Sequence, residues 1–111
     1  MFFLNLIHFK FKVHYRSYEY EEKLPSIANH IHSLTSILIR NCNFKKNNNF
    51  IQEVTKCEGL IELKFLVCSG LTTDKAKLLI NANFPMLKIV EFWGDYCNEI
   101  VNWAKSISPQ L

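Results

Sequence analysis

The sequence predicts an α/β protein in which parallel strands, one per repeat, line up in a sheet backed by helices, and three observations carry that prediction. The first is an internal repeat. Leu34-Thr-Ser-Ile37-Leu-Ile39-Arg-Asn-Cys42, Leu60-Ile-Glu-Leu63-Lys-Phe65-Leu-Val-Cys68 and Leu87-Lys-Ile-Val90-Glu-Phe92-Trp93 all read apolar, two residues, apolar, one residue, apolar. Their leading leucines stand 26 and 27 positions apart. The second is a change of period, from the alternation of a half-buried strand inside each block to helical spacing between blocks. The third is composition: 111 residues with 49% hydrophobic and 21% charged side chains suit one folded domain over residues 1–111, with a modest core.

Taken in chain order, the first expected strand covers residues 9–15, where Phe9, Phe11, Val13 and Tyr15 alternate with Lys10, Lys12 and His14. Its register is open: the apolar pattern aligns Leu6, Phe9 and Phe11 with the later blocks, whereas counting back 26 from Leu34 reaches His8. Tyr15 to Lys23 then connects to a helix marked by Leu24, Ile27, Ala28 and Ile31, with Pro25 in its first turn. Strands follow at 34–40, 60–66 and 87–93. The helices between and after them are marked by Phe50, Val54 and Cys57, by Ala76, Leu79, Ile80 and Phe84, and by Ile100, Ala104 and Ile107. Asn49, Thr72 or Thr73, and Asp95 or Asn98 are the expected N-caps, and Pro85 and Pro109 the expected stops. A closing residue, Cys57, Phe84 or Ser108, precedes Leu60, Leu87 and Leu111 by three positions. No single repeat can bury its own apolar face, so the core has to form between stacked neighbours.

Charge and cysteines exclude several classes. A net charge of +3, from 13 basic and 10 acidic side chains, falls short of the excess expected for nucleic-acid binding. Cys42, Cys57, Cys68 and Cys97 contain no CxxC pair, and the aromatic start Met1 to Ile7 lacks the basic leader and cleavage site of a secretory signal, so reduced thiols in the cytoplasm or nucleus are expected. That apolar start is also too short to span a bilayer.

The segment Cys57-Glu-Gly-Leu60-Ile-Glu-Leu63-Lys-Phe65-Leu-Val-Cys68-Ser-Gly-Leu71-Thr-Thr-Asp74 resembles the block "C-P-x-L-x-x-L-x-L-x-x-C" followed by "L-T-D" in the cysteine-containing leucine-rich repeats of F-box proteins. It lacks the proline and has one extra threonine before Asp74. In the other repeats Ile31 and Phe84 replace the first cysteine, and Cys97 falls two positions late. The resemblance covers roughly residues 24 to 111 and implies a leucine-rich-repeat (RNI-like) solenoid of about three to four repeats, with its parallel sheet on the concave side. It further implies a non-catalytic module that binds a protein partner, as the substrate-recognition part of an F-box type ubiquitin-ligase receptor. The partner would then be a ubiquitination substrate. Leu24-Pro-Ser-Ile27 echoes the opening "L-P-x-E-I" of an F-box but lacks the glutamate, so no F-box is identified and adaptor binding is not expected. The alternatives are a free-standing repeat scaffold unrelated to ubiquitin and, more remotely, an unrecognised enzyme.

Chemistry-bearing residues have ordinary explanations. His30 and His32, two apart on a helix, point to different sides and read as solvent-facing rather than as metal ligands. Cys42, Cys68 and Cys97 fall at strand ends as small buried thiols. Gly59, Gly70 and Gly94 are isolated, so no phosphate-cradling loop is present, and GxSxG, HExxH and paired-carboxylate motifs are missing. Asp74 reads as a helix N-terminal carboxylate, Glu62, Glu91 and Glu99 as surface charges, and Lys45-Lys-Asn-Asn-Asn49 as a solvated loop. No cofactor, metal, nucleic acid or membrane is expected.

The residues that alternate with the buried ones face the concave side, the usual binding surface of such arrays. Leu38, Arg40, Glu62, Lys64, Leu66, Ile89, Glu91 and Trp93 are the candidate binding residues, with Ser36 in the same column, and Lys10, Lys12 and His14 if the first strand joins. Lys64 and Glu91 are expected as neighbours on adjacent strands, and Leu38, Leu66 and Trp93 as an exposed apolar line. The chain end, Ser106-Ile-Ser108-Pro-Gln-Leu111, offers no capping segment, so an incomplete array that is marginal in solution or self-associating is expected.

Overall fold

The computed structural model describes residues 7–12 and 23–109. Four strands, β1 (His8–Lys12), β2 (Ser36–Arg40), β3 (Glu62–Cys68) and β4 (Ile89–Gly94), form one sheet in the order β1-β2-β3-β4. Every pairing is parallel. Three α-helices accompany them, α1 (Asn48–Val54), α2 (Thr73–Asn81) and α3 (Asn98–Ile107), and short 3-10 turns occupy Ala28–His30 and Phe44–Lys46. The protein is therefore of the α/β class, and parallel neighbours in sequential order follow from crossovers that each return the chain to the same end of the sheet.

Registers link equivalent positions. Ile37 pairs with Leu63 and Leu63 with Val90, while Ile39, Phe65 and Phe92 form the next inward rung. The first strand joins by its apolar pattern, Phe9 beside Ile37 and Phe11 beside Ile39, and not by the count of 26. The two alignments differ by two residues and keep the same side chains inward; in the observed one Phe9 stands beside Ile37 and packs on Phe50. The strands themselves begin two positions later than the repeat blocks: Leu34 and Leu60 are fully buried just ahead of β2 and β3, where the chain is still turning into the sheet. Expected strand residues 13–15 lie outside the described residues.

Between these starts one acceptor recurs. The Ile7 carbonyl accepts from the N–H groups of Thr35 and Ser36, the Thr35 carbonyl from Ile61 and Glu62, and the Ile61 carbonyl from Lys88 and Ile89. Strand ends repeat too: Asn41 (φ 58°), Val67 (φ 55°) and Gly94 (φ 136°) all take positive φ, at the same spacing as the leading leucines. This residue follows β2 at Asn41, bulges within β3 at Val67, where the register against β4 shifts between Leu66 and Cys68, and closes β4 at Gly94. After it, Cys42 and Cys68 are buried, and the Ser69 N–H donates to the Cys42 carbonyl while Phe44 N–H donates to that of Ser69. Gly70 closes this contact. A Cβ there would lie 2.5 Å from Asn43 Oδ1 and 2.7 Å from the Lys45 nitrogen, and its φ is +74°.

The core lies between the inward face of the sheet and the helices. Phe9, Ile37, Ile39, Leu63 and Phe65 share one buried cluster with Phe50, Ile51 and Val54 of α1, Ala76 and Leu79 of α2, and Ile100 of α3. An aromatic chain crosses it, with Phe44–Phe65 ring centroids at 4.7 Å, Phe65–Phe92 at 5.3 Å and Phe92–Tyr96 at 5.3 Å. These tilted ring contacts add to the stabilisation by area burial.

Several local expectations are corrected. The helix expected over Leu24 to Ile31 is only the 3-10 turn Ala28–His30. Its first turn is held from outside: Glu53 of α1 accepts from the Ser26 hydroxyl at 2.6 Å and the Ile27 N–H at 2.8 Å, and the Asn47 side chain accepts from the Leu24 N–H at 2.7 Å. Cys57 falls beyond α1, which ends at Val54. The N-cap of α1 is Asn47 rather than Asn49, and that of α3 is Cys97 rather than Asp95 or Asn98, neither with a side-chain capping bond. Thr72 does cap α2, accepting from the Lys75 N–H at 3.3 Å, with Asp74 in the first turn.

Candidate protein-binding face

The face of the sheet turned away from the helices is ordered by register into three rows. His8, Ser36, Glu62 and Ile89 form the first, Lys10, Leu38, Lys64 and Glu91 the second, and Lys12, Arg40, Leu66 and Trp93 the third. Strand alternation puts them there: their neighbours Phe9, Ile37, Ile39, Leu63, Phe65 and Val90 are buried on the helix side.

The expected Lys64–Glu91 pairing is present, Nζ to Oε2 at 3.8 Å. Both side chains are partly covered, so the pair organises the middle of the face more than it stabilises the fold. Ser36, buried, donates its hydroxyl to Glu62 Oε2 at 3.2 Å. Trp93 is 62% exposed, as large an aromatic surface as the described residues offer to solvent. The expected apolar line of Leu38, Leu66 and Trp93 is corrected on two counts. Leu38 sits one row away, beside Lys64, and Arg40 takes its place next to Leu66. Leu66 is also only 8% exposed, enclosed within its row, so the apolar feature presented outward is Trp93. His14 lies outside the described residues.

Arg40, Lys10 and Lys12 are exposed, and Arg40 faces Lys12 across the β1–β2 register. No carboxylate among the described residues pairs with any of the three. The face is thus cationic on β1 and β2 and carries its carboxylates, Glu62 and Glu91, on β3 and β4.

The cysteines are structural. Burial pushes the Cys42 thiol up to about 12 and the Cys57 thiol to about 11, and it also raises Cys68. Cys42 accepts from Asn47 Nδ2 at 3.5 Å, while Cys68 donates to the Ile39 carbonyl at 3.5 Å and Cys57 to the Glu53 carbonyl at 3.6 Å. Such protonated thiols are poor nucleophiles and poor metal ligands. Cys97, also a free thiol, is half-buried at the start of α3, away from the position expected of it. Among the described residues no group of three His, Cys, Asp or Glu side chains is placed to hold a metal ion, and no helix is long and apolar enough to cross a membrane.

Some positioning residues escaped the sequence reading. Asn47, in the middle of the Lys45-Lys-Asn-Asn-Asn49 tract, is buried and ties α1 to Leu24 and to Asn43, whose carbonyl accepts from its Nδ2 at 3.0 Å, so this tract is not wholly a solvated loop. Tyr96 donates its hydroxyl to the Phe65 carbonyl at 2.8 Å, and burial raises its pKa. Ser108 lies along the free side of β4, accepting from the Val90 N–H at 2.8 Å and donating to the Lys88 carbonyl at 2.9 Å. The spacing of closing residues marks Ser108 only as the residue three positions ahead of Leu111. A cleft of about 380 Å³ beside α1 is lined by Leu24, Ser26, Asn47, Phe50 and Glu53, whose polar groups Asn47 and Glu53 already serve the preceding turn. Comparison with protein-family models, curated proteins and solved structures finds no match to this chain.

Proposed function

We propose that this chain is a short array of cysteine-containing leucine-rich repeats that binds a protein partner across the open face of its sheet. The observation that carries the reading is the register: equivalent positions of successive repeats stand side by side, and the face they build ends in an exposed Trp93 above an organised Lys64–Glu91 pair. Aromatic side chains of that kind, rimmed by charges, are the usual energetic centres of protein interfaces. The recurring carbonyl acceptor, the positive-φ residue near the end of β2, β3 and β4, and the buried Cys42 and Cys68 support the repeat assignment.

Resemblance to the repeats of F-box proteins extends the proposal to a substrate-recognition part of a ubiquitin-ligase receptor. A free-standing scaffold is the alternative. The test is capture from cell extract on the immobilised chain, with Trp93→Ala as control and mass spectrometry as readout. A partner retained by the parent chain and lost by Trp93→Ala is expected. Equal recovery on the two, with the variant still folded, would remove the open face as the binding site. Ligase adaptor or cullin subunits among Trp93-dependent partners would favour the receptor, and their absence the scaffold.

A further inference from the structure

We infer that the open face takes an extended acidic segment of a partner protein, its carboxylates over Lys12 and Arg40 and an apolar side chain against Trp93. This rests on the protein-binding reading above and specifies the chemistry of the partner. The charge distribution argues for it. On β1 and β2, Lys10, Lys12 and Arg40 are exposed and unpaired with any described carboxylate, and placing Arg40 beside Lys12 costs repulsion that a bound anion would relieve. On β3 and β4 the carboxylates of Glu62 and Glu91 are held in place by Ser36 and Lys64. An acidic segment whose charges lay over β3 and β4 would meet those groups. Turned round, it meets the cations.

Register adds a length. Lys12, Arg40, Leu66 and Trp93 occupy one row, a strand apart each, so Arg40 and Lys12 stand about 10 and 14 Å from Trp93 at the usual interstrand spacing. An extended segment advances about 3.3 Å per residue, which places its carboxylates about three and four positions from the apolar anchor. Leu66, nearly covered within the row, provides an apolar floor between the two ends. A nucleic acid strand fits less well, because its regularly spaced phosphates would continue from Arg40 onto the side that carries Glu62 and Glu91.

The experiment uses the full chain and fluorescein-labelled peptides of sequence Ser-Glu-Glu-Ser-Ser-Leu-Ser, the same peptide with both glutamates replaced by glutamine, and single-stranded oligothymidylate, with anisotropy as the readout. The glutamate peptide should bind about tenfold tighter than the glutamine peptide, as a few exposed charge pairs allow. Lys12→Glu with Arg40→Glu should abolish that preference, and so should high salt. Lys12, Arg40 and Trp93 are all exposed, so circular dichroism should report an unchanged fold. Equal binding of the two peptides, no detectable binding of the glutamate peptide, or tighter binding of oligothymidylate would overturn the inference. Equal peptide binding that is still lost in Trp93→Ala would leave the protein-binding reading standing, whereas indifference of both peptides to Trp93→Ala would count against that reading as well.

Discussion

Val67 illustrates how a single residue can be set by its place in the repeat rather than by its own preference. It follows the buried run Phe65-Leu66 and precedes Cys68, yet it is 63% exposed and holds φ at 55°, a region costly for a β-branched side chain. Asn41 occupies the equivalent bend at φ 58°, and asparagine tolerates that conformation well. Val67→Asn should therefore raise unfolding stability by about 1 kcal/mol, since little packing is lost and the strain is relieved. Urea denaturation checks it, and a drop in midpoint would show that Val67 contributes contacts outweighing its strain. The strand alternation in the sequence extends no further than Leu66, which is why such a bend was not legible: a left-handed residue leaves no apolar signature unless it is glycine or asparagine. Buried cysteines are the opposite case. Their repeat position announced Cys42 and Cys68 as core thiols, and the structure has them buried, which raises the pKa of both.

At the level of elements, periodicity was most readable where a strand or helix buries one continuous face. The alternations Ile37/Ile39, Leu63/Phe65 and Val90/Phe92, and the spacing Ala76/Leu79 or Ile100/Ala104, each correspond to an observed element. The segment from Leu24 to Ile31 has the same helical spacing but forms one 3-10 turn: Glu53 and Asn47 hold its first N–H groups, and from Thr35 on the N–H groups go to the Ile7 carbonyl as the chain enters the sheet. The free side of β4 depends on a comparable side-chain device. Lys88 stands where Ile7, Thr35 and Ile61 present the recurring carbonyl, and the Ser108 hydroxyl donates to it while accepting from the Val90 N–H. Ser108→Ala would leave both groups without that partner, one of them in a buried setting, and should cost about 1–3 kcal/mol. Hydrogen exchange should localise the loss to Val90 and α3. Unchanged protection there would mean that water replaces the hydroxyl at no cost.

For the whole molecule, contacts run between successive elements: β1 with β2, β2 with β3, β3 with β4, α1 with α2 and α2 with α3. An edge strand with contacts on one side only can open at lower cost than the centre. Phe65 touches both Phe44 and Phe92 and is fully buried, so Phe65→Ala should cost about 3–5 kcal/mol and destabilise every strand together. Phe9, on the edge strand β1 and packed on Phe50, should behave otherwise. Phe9→Ala is expected to raise exchange in β1 and around Thr35 while β3 and β4 keep their protection. Uniform loss across the sheet in that variant would reveal a single cooperative unit instead.

The amino-acid sequence by itself determined the α/β class, the spacing of strands, the inward rungs and the Lys64–Glu91 contact, because each follows from hydrophobic period and from the repeat length that brings equivalent positions side by side. Tertiary structure alone decided how deeply each outward residue is covered and where backbone ends find partners. Leu66 is covered while Trp93 is open, and Asn47, Glu53 and Ser108 hold distant backbone groups. The physical reason is that a side-chain hydrogen bond to a backbone group some 26 residues away leaves no local trace in sequence, whereas burial of one face every second or every third to fourth residue does.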